Sequence, residues 1–145
     1  MKPEIEITRT FDADIESVWR AITEKELMKQ WYFELTEFKA EVGFTFSFAG
    51  GHEVGIQYKH LCEVTEVIKN RKLTYSWKYE GYEGISFVTF ELSEEDGKTK
   101  LTFYHSGLSS FSNKNPDFGL HNFKEGWNHF INQSLPSFLN KIHVN

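Results

Sequence analysis

The sequence predicts an α+β fold: an antiparallel sheet of six to seven strands with one long C-terminal helix lying across it, and two short helices after the first strand. Three observations point there. Apolar and polar residues alternate through much of residues 44–105, the period of half-buried strands. Turn residues punctuate that region at spacings that suit an antiparallel meander. Residues 119–142 instead repeat their apolar positions at helical spacing.

At 145 residues the chain has the length of one domain, 1–145, and can bury an ample core. A lone cysteine, Cys62, excludes an internal disulfide and suits a reducing, cytoplasmic setting. No apolar run approaches the ~20 residues that span a bilayer, and the first six residues do not read as a signal peptide. A net charge of −5 argues against nucleic acid as a partner, because a phosphate-backbone binder needs a basic stripe. The unusual number is 17% aromatic residues, from 14 Phe, 6 Tyr and 4 Trp. Rings of that abundance either fill a core or wall a cavity.

The first strand is expected over residues 4–11, where Ile5, Ile7 and Phe11 alternate with Glu6, Thr8 and Thr10. Asp14 has the chemistry of a helix N-cap, and Ile15, Val18, Trp19 and Ile22 then mark one helical face. Thr23-Glu24-Lys25-Glu26 has capping-box spacing, which starts a second helix carrying Leu27, Met28 and Trp31 inward. From about Leu35 the period becomes two, with Phe44, Phe46 and Phe48 before the Gly50-Gly51 break. The next strand spans residues 56–68, and its alternation falters at His60-Leu61-Cys62, where a bulge is expected. After a turn at Asn70-Arg71, Leu73, Tyr75, Trp77 and Tyr79 alternate again. Beyond Gly81 and Gly84 come Val88, Phe90 and Leu92. Asp96-Gly97 is a hairpin signal, because both residues tolerate positive φ, and Leu101, Phe103 and His105 complete the sheet. Residues 107–119 read as a loop with two exposed rings, Phe111 and Phe118. In the last helix, Phe123, Trp127, Phe130, Ser134 and Phe138 form one stripe. Pro136 lacks an N–H, which should kink that helix or lengthen its bonding near Asn132.

This order of elements describes a helix-grip arrangement. Arg9-Thr10-Phe11-Asp12-Ala13, then Val18-Trp19-Arg20-Ala21-Ile22-Thr23 and Trp31, resembles the opening of the bacterial START-like (Bet v 1-like) proteins related to the activator of heat-shock-protein-90 ATPase. Val42-Gly43-Phe44-Thr45-Phe46 is similar to their early glycine turn and strand, and Leu73-Thr74-Tyr75-Ser76-Trp77 to the strand before their central hairpin. Thr99-Lys100-Leu101-Thr102-Phe103 with His105 resembles the closing strand, and Gly126-Trp127 with Leu135 the final helix. The chain departs from the family in having Asp14 where proline is usual, and Gly43 where a glycine pair is common. The resemblance implies a curved sheet gripping the long helix, with an apolar cavity between them. It implies little chemistry, since this superfold hosts carriers, sensors, cyclases and co-chaperone domains.

On that frame the expected function is noncovalent, non-enzymatic binding of a small hydrophobic or aromatic molecule between sheet and helix, with no cofactor. The expected walls are Phe46, Tyr58, Trp77, Phe90 and Phe103 from the sheet and Phe123, Trp127 and Phe130 from the helix. Trp31 and residues 107–119 border the entrance, while His60 and His105 orient the ligand or are satisfied by backbone. One alternative is a protein-interaction module with a chaperone ATPase as partner. Another is a cyclase- or hydratase-like enzyme acting on an aromatic substrate. A third outcome is a cavity filled by its own rings. His121, Glu125 and His129 have metal-ligand spacing, but helical arithmetic puts them opposite the apolar stripe, on a solvated face. Cys62 is expected to be a small buried thiol. Arg9, on the Ile5–Phe11 side of its strand, suits a carboxylate at the cavity mouth or a protein acid at the sheet edge.

Overall fold

Among the described residues six strands form the sheet: β1 (Ile5–Phe11), β2 (Thr45–Gly51), β3 (Gln57–Ile68), β4 (Lys72–Tyr79), β5 (Ser86–Glu95) and β6 (Lys98–Ser106). The computed structural model describes residues 3–51, 57–111 and 115–144. Every pairing is antiparallel, in the order β1-β6-β5-β4-β3-β2. The β5–β6 hairpin closes at Glu95–Lys98, leaving Asp96-Gly97 as a two-residue turn with φ of 51° and 79°. Positive φ at both positions is the geometry that matches the strands' twist, as the dipeptide predicts.

Two helices follow β1. In α1 (Ile15–Thr23) the Asp14 carboxylate accepts the Ser17 N–H, and Ile15, Val18, Trp19 and Ile22 are buried. The expected capping box at Thr23 does not form. Thr23 lies in the last turn of α1, where its hydroxyl donates back to the Trp19 carbonyl at 2.7 Å. The one-turn α2 (Lys25–Met28) starts at Glu24, whose side chain pairs with Arg20 instead. Met28 and Trp31 are buried, as expected.

Two strand expectations are corrected. The period-two reading from Leu35 fails, since residues 33–44 form no strand; Leu35 and Phe38 are separate buried anchors in an irregular connection. The bulge lies between Val64 and Glu66, not at His60-Leu61-Cys62. Tyr58, His60, Cys62 and Val64 keep strict inward alternation, and the apolar Leu61 that blurred it faces outward, half-buried. The expected strand start, Ile56, lies outside the described residues.

The C-terminal helix is continuous but changes its winding: α3 (Leu120–His129), a π-helical turn at Phe130–Ser134, then α4 (Leu135–Val144). The straight-helix stripe is therefore corrected. Phe123, Trp127, Ile131, Leu135 and Leu139 face inward, while Phe130 and Ser134 are half-buried. Steps of four advance a residue by ~400°, so this face would drift ~40° per step on an ideal α-helix; the wider turn absorbs part of that drift. Its bonding follows from Pro136, which has no N–H for the Asn132 carbonyl one α-helical turn earlier. Arg9 Nη1 donates there instead, at 3.2 Å, and equally to Asn132 Oδ1. Arg9 thus serves the helix rather than a carboxylate.

Candidate functional site

Where α3 passes over β3 and β4, Trp77 and Trp127 meet with centroids 5.5 Å apart, and beside them a cleft of about 620 Å³ remains. The inward side chains Tyr58, His60, Trp77 and Tyr79 form its sheet wall, and Phe123, Trp127 and Phe130 its helix wall. Phe33, from the connection after α2, and Phe118, from a 3₁₀ turn at Pro116–Phe118, complete the apolar lining. Gly50 of β2 is needed for this arrangement: a Cβ there would meet the Phe33 ring at 2.8 Å and His60 Cε1 at 3.1 Å. Asp117, Asn122, Glu125 and His129 stand at the rim of the same cleft.

Six of the residues expected at the site therefore share the cleft: Tyr58, His60, Trp77, Phe123, Trp127 and Phe130. Trp31, Phe46, Phe90, Phe103 and His105 lie outside its lining. Trp31 donates its indole N–H to the Ala21 carbonyl at 2.8 Å and stacks on Tyr32. Phe46 packs edge-on against Tyr75 and Phe38. Phe90 and Phe103 form a floor beneath Trp127, with the Phe103 and Trp127 rings 4.3 Å apart. Sequence reasoning does not reach Phe33 or Tyr79, and it has Phe118 only within the loop expected at the entrance. Tyr79 shares the inward parity of Trp77 and was legible; Phe33 sits in a stretch without periodicity. Phe111 and Phe118, expected to be exposed, are both buried, and Phe118 stacks on Tyr79 with centroids 4.5 Å apart.

The two inward histidines differ. His60 is 4% exposed, stacks on Phe48 at 4.4 Å, and donates its Nδ1 hydrogen to the Tyr58 carbonyl at 3.0 Å. Burial lowers its pKa to about 4, against a smaller opposing pull from the Tyr58 and Phe48 backbone. His105 is fully buried in a relay. The Trp127 indole N–H can only donate, so it assigns His105 Nδ1 as acceptor, at 2.9 Å. His105 Nε2–H then donates to Ser86 Oγ at 2.8 Å, and the Ser86 hydroxyl donates to the Trp77 carbonyl at 3.0 Å. Both imidazole nitrogens are occupied, and burial lowers this pKa to about 3. The relay ties the helix wall, through Trp127, to the strand that carries Trp77.

A polar tie holds the mouth. The Tyr58 hydroxyl donates to Asp117 Oδ2 at 2.5 Å, Asn115 Nδ2 donates to Tyr58 Oη at 3.2 Å, and Asn115 Oδ1 accepts the Asp117 N–H. The hydrogen bond to Asp117, with some help from burial, raises the Tyr58 pKa. His121 pairs with Glu125 at 3.1 Å with both side chains well exposed, and His129 Nε2 meets Ser134 Oγ. Among the described residues no group of three His, Cys, Asp or Glu is placed to hold a metal ion. Burial pushes the Cys62 thiol up, which makes it a poor nucleophile. The site is thus a ring-walled space with neutral polar groups set into it. A base of pKa about 4 holds protons weakly near neutrality, so His60 offers hydrogen bonding more readily than proton transfer. No helix among the described residues is long and apolar enough to cross a membrane.

Comparison with known proteins agrees with this architecture. MLL2253 from Mesorhizobium loti is 28% identical and superposes with a TM-score of 0.76 over 94% of this chain and 96% of its own. CalU16 from Micromonospora echinospora is 26% identical, with a TM-score of 0.72 over 92% of this chain and 74% of its own. CV1439 from Chromobacterium violaceum, 18% identical with a TM-score of 0.78 over 93% and 95% of the two chains, shares the fold. No curated protein matches the sequence. The family model described as Activator of Hsp90 ATPase homolog 1-like protein matches residues 12–140, from the turn after β1 into α4. With that match spanning nearly every element of the helix-grip fold, the chain belongs to the Activator of Hsp90 ATPase homolog 1-like family of START-like proteins.

Proposed function

We propose that this protein binds a small, uncharged, largely aromatic or apolar molecule in the cleft between α3 and the β3–β4 end of the sheet. The observation that carries this reading is the cleft itself: about 620 Å³ walled by rings, within the range of small-molecule sites. Its His60 is held neutral by burial, and its tryptophans are braced by hydrogen bonds, so the walls are organised before a ligand arrives. Affinity would come from apolar burial at roughly 25 cal/mol per Å², reduced by the cost of ordering the ligand.

The test is a titration with apolar and aromatic compounds, following tryptophan fluorescence and thermal midpoint together. The expected outcome is a saturable fluorescence change with a midpoint that climbs with ligand concentration. In Phe130→Ala, which opens the helix wall, both responses should weaken. Silence across a diverse panel would remove the reading. The family match favours a second reading, a chaperone partner whose ATP turnover the protein stimulates. A pull-down enriching such a chaperone, with raised ATPase activity on addition of the protein, would promote it.

A further inference from the structure

We infer that the cleft selects a ligand bearing a neutral acceptor oxygen, such as a ketone, quinone or aryl ether on an aromatic frame, and that Tyr79 is the residue that reads it. This assignment rests on the ligand-binding reading above and deepens it. Tyr79 lines the cleft, is 6% exposed, and lies among the rings of His60, Trp77 and Phe118. Its oxygen accepts the Trp77 indole N–H at 2.9 Å. That bond has one possible direction, because an indole N–H only donates. Trp77 therefore occupies the acceptor side of the phenol and leaves its hydrogen to be placed elsewhere.

Among the described residues no protein group takes that hydrogen. Tyr58, the other tyrosine of the wall, spends its own on Asp117. A buried hydroxyl on a residue that lines a roomy cleft, with an unspent donor, calls for an acceptor on the occupant. Burial also raises the Tyr79 pKa, so the phenol stays a donor across the physiological range. The charges around the cleft decide which acceptor. Among the described residues no lysine or arginine lines it, while Asp117 and Glu125 stand at its rim. A carboxylate or phosphate would enter without a compensating cation and beside like charge, which is costly in a ring-walled space. An uncharged oxygen meets neither penalty.

A matched pair separates this assignment from the binding reading: 2-acetylnaphthalene and 2-ethylnaphthalene, which have similar shape and differ at the carbonyl. Binding of each to the parent protein and to Tyr79→Phe is measured by equilibrium dialysis. Isotope-edited infrared spectra record the ketone stretch in the parent complex. A single hydrogen bond predicts that Tyr79→Phe weakens the ketone about 3–10-fold and the hydrocarbon less than about 2-fold. The stretch should fall in frequency on binding to the parent protein. If both compounds bind, but the ketone binds both proteins alike with its stretch as in an apolar solvent, the Tyr79 assignment is overturned and the cleft stands. Should neither compound bind the parent protein, the binding reading falls and takes the assignment with it. If Tyr79→Phe does not fold, the parent spectrum alone decides, since it needs no variant.

Discussion

The two ends of the space beneath the C-terminal helix start from the same apolar patterning and finish differently. Toward β1 and α1, the π turn and α4 bury Ile131, Leu135 and Leu139 on a sheet face that includes Leu101 and Phe103, each nearly or wholly excluded from solvent. Toward β3 and β4, Tyr58, His60, Trp77 and Tyr79 stand around open volume. Branched aliphatic side chains interdigitate and fill gaps in many orientations. Rings with polar heads are held where those heads find partners: Trp77 on Tyr79, Tyr58 on Asp117, Trp127 on His105. Aromatic abundance alone did not make the cleft, since Phe90 and Phe103 are packed flooring. The cleft lies among rings whose polar heads are anchored by hydrogen bonds.

Acid should break this comparison most severely, because it strikes the rings' polar partners. Burial holds His60 near pKa 4 and His105 near 3 in the folded chain, while the unfolded chain has the ordinary value of 6.5. The unfolded state therefore takes up protons first as pH falls. The contribution of these neutral histidines is fully present above about pH 6.5 and is lost progressively toward pH 4 and 3, at about 1 kcal/mol per pH unit for each. Denaturant midpoints measured from pH 7 to 4.5 should fall accordingly, with His105→Asn flattening the slope. A level profile would show that the histidines are not buried as neutral bases.

The filled end is tested by Arg9→Ala, which strips the Asn132 carbonyl of its donor. A loss of about 1–2 kcal/mol is expected in urea unfolding, the cost of leaving a part-buried carbonyl short of a partner. Adding Pro136→Ala, which restores a backbone N–H, should recover part of it. Equal losses in both backgrounds would mean Arg9 acts through packing alone. The smallest global effect belongs to Tyr58→Phe, which cuts the tie to Asp117 at the mouth. Stability should change by less than about 1 kcal/mol. Amide exchange at Asp117 and Phe118 should nevertheless quicken, because that turn loses its anchor to β3. Unchanged exchange would show that the turn is held without the Tyr58 tie.

The sequence by itself determined the alternating faces of the strands, the Asp96-Gly97 hairpin, the Asp14 cap and the disturbance that Pro136 imposes near Asn132. Each follows from local chemistry: side-chain parity, tolerance of positive φ, a carboxylate beside free amides, a missing N–H. Inward parity also singled out Tyr58, His60 and Trp77. Only the tertiary structure decided which inward rings border open volume and which are floor. Phe103 and Trp77 have the same parity and similar neighbours in sequence, and they differ in what the helix places above them. It also decided that Thr23 bonds back into α1, that the bulge falls beyond Val64, and that Arg9 completes the helix. These outcomes depend on partners distant in sequence, such as Asn132 for Arg9 and Trp127 for His105. A periodic pattern states which way a side chain points; what it meets is settled when sheet and helix close on each other.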